Sequence, residues 1–155
     1  MKIYLSYSLS PTDLHIASML TRQAQTKGMI IETAQQIAPG SDWAGSAIIV
    51  QQIFNSDVVI AIISRDSRNI ANVERELEVV RTLKKPALVL IEKGVYAQIN
   101  IADIQRVEFD RRDLSSALSR ISLILEGQKN QETLKNWLTV GGLALLALYL
   151  FGKEK

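Results

Sequence analysis

The stretch from Asn55 to Lys85, NSDVVIAIISRDSRNIANVERELEVVRTLKK, changes its hydrophobic period in the middle, and that change limits the chain to a small set of folds. Val58 to Ile63 is an unbroken apolar run rich in β-branched residues, the pattern of a strand covered on both faces in a parallel sheet. The polar SRDSRN after it reads as a loop. Beyond the loop Ile70, Val73, Leu77 and Val80 recur at three- and four-residue spacing, which predicts an amphipathic helix. Three carboxylates, Glu74, Glu76 and Glu78, ride on that helix. At 100° per residue Glu74 and Glu76 fall on opposite shoulders of the apolar stripe, while Glu78 points further toward water. A carboxylate on a shoulder can face a cleft at the sheet edge, and spacing alone does not choose between Glu74 and Glu76.

The same change of period recurs on both sides. Lys2 to Tyr7 reads as a first strand, followed by a helix start with Ser10 as N-cap, Pro11 at the first helical position and Asp13 three residues past the cap. That helix is expected to run to Lys27, with Gly28 in the left-handed position after it and Met29 to Thr33 as a second strand. AQQIAPGSDW is a Pro-Gly loop leading to a helix over Trp43 to Asn55. Pro86 ends the helix of the central stretch, Ala87 to Glu92 is a fourth strand, and Lys93 to Asp103 is a less regular connection. Arg106 to Phe109 forms a short fifth strand and Arg112 to Glu126 a closing helix. Alternating strands and helices of these lengths imply an α/β fold, a doubly wound parallel five-stranded sheet with helices on both faces. Ligands of such sheets gather at the carboxyl ends of the strands, where the loops after Tyr7, Thr33 and Ile63 meet.

Composition narrows the chemistry. With 155 residues, 47% of them apolar, the chain fits one domain and an appendage. Its net charge of +2 comes from mixed signs without basic runs, so nucleic acid is not an expected partner. There is no cysteine and one histidine, His15, which leaves no thiolate or histidine cluster to hold a metal, and a reducing cytosol is compatible with that usage. MKIYLSYS lacks the layout of a secretory signal. No Gly-x-Gly-x-x-Gly or phosphate-loop motif occurs, so a standard dinucleotide or triphosphate cradle has no support.

Past a polar stretch read as a linker, Gly127 to Asn136, the composition shifts. Trp137 to Phe151, WLTVGGLALLALYLF, carries no charge, with aromatic residues near both ends. As a helix it extends about 22 Å, against a hydrocarbon core of about 30 Å, a gap that flanking lysines and local thinning can close. Residues 137–152 are therefore expected to form a hydrophobic helix that anchors the chain in a membrane as a single-pass tail, with the globular part in the cytoplasm. The alternative is an oligomer-forming or buried helix.

Taken together, KIYLSYS with a helix after it, IAPGSDW following the second strand, SDVVIAIIS as the central strand and VERELE in the next helix resemble the Toll/interleukin-1 receptor (TIR) domain family, particularly its bacterial members, over about Lys2 to Glu126. The resemblance implies a flavodoxin-like fold, homo-oligomers formed through TIR–TIR contacts at the loop carrying Pro39 and Gly40, and cleavage of NAD at the nicotinamide–ribose bond, with NAD or a related nucleotide as substrate and no cofactor. Glu76, followed by Leu77, matches the family's catalytic glutamate. Asn72 stands where that family usually has Trp, and Thr33 where an Asp is common. A non-catalytic TIR scaffold that clusters at a membrane is the alternative, and a nucleoside glycosyl-transfer enzyme on a related sheet is a third reading.

For the chemistry so implied, nicotinamide departs neutral and the difficulty is positive charge growing on ribose. A fixed carboxylate in a partly dry site stabilises that charge, the role assigned to Glu76; its plainer use is a solvated helix glutamate beside an Arg or Lys. Trp43 can stack on a nicotinamide or adenine ring or anchor its helix in the core. Ser6, Tyr7 and Ser8 are placed to hydrogen-bond ribose or phosphate, and Arg65 and Arg68 to meet pyrophosphate, with ordinary loop roles as the alternative for each. Deleting residues 137–155 is expected to move the protein from the membrane to the soluble fraction on centrifugation of lysates. Unchanged fractionation would reject the anchor.

Overall fold

The computed structural model describes residues 1–33, 47–68, 70–95 and 104–129. Pro39, Gly40, Trp43 and the stretch 137–152 lie outside the described residues. Among those described, no helix is long and apolar enough to cross a membrane.

Five parallel strands form one sheet: β1 (Lys2–Ser6), β2 (Ile30–Thr33), β3 (Val58–Ile63), β4 (Ala87–Glu92) and β5 (Gln105–Phe109), in the order β2-β1-β3-β4-β5. This is the flavodoxin-like order of the doubly wound fold. The runs VVIAII and ALVLIE are buried at every position, as a central parallel strand between two helical layers requires. Register pairs Leu5 with Ile60 and Ile62 with Leu90.

Because side chains alternate across a strand, the sheet has two distinct faces. On one, Ile3, Leu5, Ile60, Ile62 and Leu90 pack against Ile16 and Leu20 of α1 (Pro11–Thr26) and Ile121 and Leu125 of α4 (Leu114–Lys129). On the other, Ala61, Ile63, Val89 and Ile91 receive Val73 and Leu77 of α3 (Ile70–Thr82). Beside them Tyr4 and Val59 meet Ile49 and Ile53 of α2 (Ala47–Asn55) and Val80 of α3. The stripe read from the sequence of α3 is thus the face it buries.

Element ends follow local chemistry. Ser10 caps α1 by accepting the Asp13 N–H, and Pro11 opens it. Gly28 takes the left-handed conformation, φ 69°, while the Met29 N–H returns to the Ala24 carbonyl, a Schellman closure. Tyr7 and Met29 fall just outside their strands, and β5 begins one residue early at Gln105. A short 3-10 turn, Arg111–Asp113, precedes α4. That helix continues through Lys129, three residues into the stretch read as linker, because Ile121, Leu125 and Gln128 keep one face buried. Lys129 Nζ also donates to the Lys27 carbonyl at 2.9 Å, and Lys27 pairs with Glu126.

The end of α3 repeats the Schellman pattern, with the Lys85 N–H bonded to the Val80 carbonyl, but its left-handed residue is Lys84 at φ 52°. A side chain there is strained by about 1–2 kcal/mol, offset in part by the greater unfolded-state entropy of glycine. Lys84→Gly is expected to raise the unfolding free energy by about 0.5 kcal/mol, read from urea titration as a higher midpoint at unchanged slope; a lower midpoint would contradict it.

Candidate active site

Strand order reverses between β1 and β3. The chain leaves β1 toward β2 on one side and leaves β3 toward β4 on the other, which opens a crevice at the carboxyl ends of the two central strands. The residues at that crevice are Ser6, Tyr7 and Ser8 after β1, and Ser64 to Arg68 after β3.

Of the three carboxylates on α3, Glu78 is exposed, Glu74 is half-buried and Glu76 is only 4% exposed. The helix turns Glu76 inward toward β1, where it meets Tyr4. The phenol of Tyr4 is fully buried. Its pKa is pushed far above the ordinary value, first by burial and then by the negative charge of Glu76. Tyr4 therefore stays a neutral phenol beside the carboxylate, its hydroxyl buried and, among the described residues, without a hydrogen-bond partner. Ser6 lies two residues further along the same face of β1. Its Oγ is buried and, among the described residues, has no hydrogen-bond partner. The carboxylate and the phenol so meet beside Ile49, Ile53, Val59 and Val80, and the Ser6 hydroxyl lies further along the same strand face, level with Ala61. Asn72 sits one turn before Glu76 on α3, half-buried.

The other expected site residues are placed differently. Tyr7 packs against the α1–α4 core and, with Thr33, Leu14, Thr21 and Arg22, lines a groove of ≈ 370 Å³ along α1. The Ser8 hydroxyl donates to Asp13 Oδ2 at 2.5 Å and accepts the backbone N–H of Ser10 and of Arg68. It is a fastener within the loops. Arg65 turns toward β4, where its guanidinium donates to the Lys93 carbonyl at 3.0 Å and lies 3.6 Å from Glu92. Trp43 lies outside the described residues, as do Pro39 and Gly40. The structure thus brings Ser6 and Glu76 to one face and sends Ser8 and Arg65 elsewhere.

Four residues that carry the site's architecture were not read from the sequence as functional. Tyr4 is one. Asp13, read only as a helix-start residue, gathers three serine hydroxyls. Glu92, at the end of β4, is 4% exposed and takes a two-pronged contact from Arg111, Nε at 2.7 Å and Nη2 at 3.0 Å, together with the Arg65 N–H at 2.8 Å. Arg111 also reaches Asp66 at 2.8 Å, which accepts the Thr12 hydroxyl at 2.6 Å. Burial acts to raise the Glu92 pKa, but hydrogen bonds from Arg111 and the Arg65 N–H and the two positive charges outweigh it, and the net shift is downward. Asp66 is lowered by the Thr12 hydroxyl and then by Arg111. Arg111 is raised, by Glu92 first. Among the described residues no three of His, Cys, Asp and Glu converge as a metal ion would require.

No family model matches the chain, and no curated protein matches it. Solved structures do. The 2-deoxyribosyltransferase of the psychrotolerant bacterium Bacillus psychrosaccharolyticus is similar with a TM-score of 0.57 at 17% identity, covering 76% of this chain and 90% of that one. The CMP N-glycosidase of Clostridium botulinum gives 0.59 at 12% identity, over 79% of this chain and 99% of that one. A de novo designed Rossmann 2x3 protein gives 0.53 at 15%, over 86% and 95%. At these identities the likeness is one of fold, and a designed protein shares it with two that act on nucleosides or nucleotides.

The Glu92–Arg111 contact sets a pH dependence. A carboxylate whose folded pKa lies below its unfolded one contributes stability that is complete above the unfolded value and is lost as pH falls through the folded value. Urea midpoints taken from about pH 7 down to about pH 3 should therefore fall more steeply for the wild-type chain than for Glu92→Gln, which is less stable at neutral pH and flatter toward acid. Parallel curves would contradict the assignment.

Proposed function

We propose that this chain breaks the N-glycosidic bond of a nucleotide, with NAD cleaved at the nicotinamide–ribose bond as the favoured reaction and Glu76 as the carboxylate beside the sugar. The observation that carries the reading is the buried Glu76 against the Tyr4 phenol, with the buried Ser6 hydroxyl two residues along β1, beneath the switch point of the sheet. Departure of a neutral base from a nicotinamide ribosyl cation leaves positive charge on C1′ and the ring oxygen. A carboxylate held in a layer of low polarity acts on that charge more strongly than one in water. Tyr4 stands beside Glu76 as a buried neutral phenol, and Ser6 offers a hydroxyl to the ribose.

Two independent lines support the reading. The TIR resemblance assigns the reacting glutamate to the position of Glu76 and NAD to the substrate. The similar structures include one named for deoxyribosyl transfer and one for N-glycosidic cleavage of CMP, and both reactions break a base–sugar bond. The same resemblance carries self-association through Pro39 and Gly40, and residues 137–152 carry the membrane anchor and, with it, a cytoplasmic site. One observation favours a second reading, a non-catalytic TIR module: Asn72 in place of the usual Trp one turn before Glu76.

The test is release of free base. Concentrated, membrane-reconstituted protein is incubated in parallel with NAD and with CMP, and nicotinamide or cytosine is followed by chromatography. Nicotinamide release is expected from NAD, and Glu76→Gln should slow it about 100-fold or more. Cytosine release alone moves the substrate to a nucleoside monophosphate while keeping the role of Glu76. No release from either, or equal release by the variant, rejects the enzymatic reading in favour of the scaffold.

A further inference from the structure

Asp13 is fully buried at the first turn of α1, and its carboxylate is committed on both oxygens. Oδ1 accepts the Ser64 hydroxyl at 2.5 Å; Oδ2 accepts those of Ser8 at 2.5 Å and Ser67 at 2.6 Å. The donors come from two different loops. Ser8 belongs to the turn after β1 and Ser64 and Ser67 to the turn after β3, the two strands that flank the switch point. The serines then fix backbone: Ser8 Oγ accepts the Arg68 N–H at 3.1 Å, and Ser67 Oγ accepts the Ser64 N–H at 2.8 Å.

Helix capping does not require this arrangement. In a reciprocal capping box the carboxylate at the third helical position returns to the N–H of its own cap residue. Here the Ser10 N–H goes to Ser8 Oγ at 3.3 Å, and Asp13 is turned across the crevice. Removing the carboxylate would strand three serine hydroxyls, so the network also stabilises the fold, but its bonds reach two loops outside α1, further than a helix cap requires. What the network does set is a separation. It ties the residue two positions after Ser6 to the turn that launches α3, the helix bearing Glu76, and so fixes the gap in which a sugar must fit between them.

Resting on the glycosidic reading above, we propose that Asp13 is the positioning residue of this site, holding the end of β1 and the start of α3 at the spacing the reaction needs. The β4 side of the same turn is held by Glu92 on the Arg65 N–H and by Arg111 on Asp66, which also accepts the Thr12 hydroxyl of α1. Asp13 is the member that reaches β1.

Asp13→Asn, Asp13→Ala and the milder Ser67→Ala are compared for urea midpoint, kcat and KM in the base-release assay, and amide hydrogen exchange. Asp13→Ala should lower kcat about 10- to 100-fold with KM within about threefold, and Asp13→Asn, which keeps the shape and one acceptor oxygen, should recover part of that loss. Ser67→Ala removes one of the three hydroxyls on Asp13 and the acceptor of the Ser64 N–H but leaves Ser8 and Ser64 on the carboxylate, and is expected to lower kcat out of proportion to any change in midpoint. Exchange should quicken together at Ser64 and Arg68. Variants with a reduced midpoint but wild-type kcat, or exchange that quickens only within α1, would overturn the proposal. If the wild-type chain releases no base, the glycosidic reading fails by itself, and the exchange data alone decide whether Asp13 couples the two turns.

Discussion

A carboxylate enclosed between a sheet and its helices is the constraint on which the rest of this molecule depends. Ionised groups taken out of water lose hydration worth several kcal/mol unless neighbours replace it. Glu76 is buried beside the Tyr4 phenol, and Tyr4 itself packs among aliphatic side chains of α2, α3 and β3. The buried Ser6 hydroxyl on the same strand face makes the layer more polar than packing alone demands. Tyr4 and Ser6 lie on the strand that borders the topological switch point, in the buried layer beneath the crevice.

The loops above this layer are held by charge rather than by apolar packing. Two further buried carboxylates, Asp13 and Glu92, each collect hydrogen bonds from the turn after β3, one from the β1 side and one from the β4 side. Serine hydroxyls answer Asp13; a guanidinium answers Glu92. The turn between β3 and α3 is thereby fixed from both directions, and α3 enters at a defined angle with Glu76 facing inward. Sheet register, turn geometry and the orientation of one side chain form a single chain of cause.

Most of the fold was legible in the sequence because hydrophobic period reports burial directly. The unbroken run Val58 to Ile63 and the stripe Ile70, Val73, Leu77 and Val80 identified the central strand and its helix, and Ser10, Pro11 and Gly28 marked the ends of α1. Period also placed Glu74 and Glu76 level, since it knows the stripe but not which shoulder meets β1. The family resemblance chose Glu76, and the packing of α3 buries that carboxylate while Glu74 stays half-buried. Tyr4 was missed because a tyrosine in a strand reads as an ordinary β-former, although a buried phenol needs a partner for its hydroxyl. Asp13 and Glu92 were missed for another reason: two of Asp13's partners are 51 and 54 residues away and those of Glu92 19 and 27, and no local pattern carries that information. The linker was placed too early because Gly127 reads as a break, whereas Ile121, Leu125 and Gln128 keep the helix face continuous.

The account stands on the claim that a sugar binds beside Glu76, between β1 and α3. The most direct measurement is a crystal structure of the Glu76→Gln variant with NAD or a nucleoside 5′-monophosphate bound. The predicted result is a ribose at the switch point with a hydroxyl in hydrogen-bonding contact with Ser6 Oγ and C1′ facing residue 76. Ligand held only on the α1 face, in the groove lined by Tyr7 and Thr33, with the Tyr4–residue 76 layer closed, would contradict it.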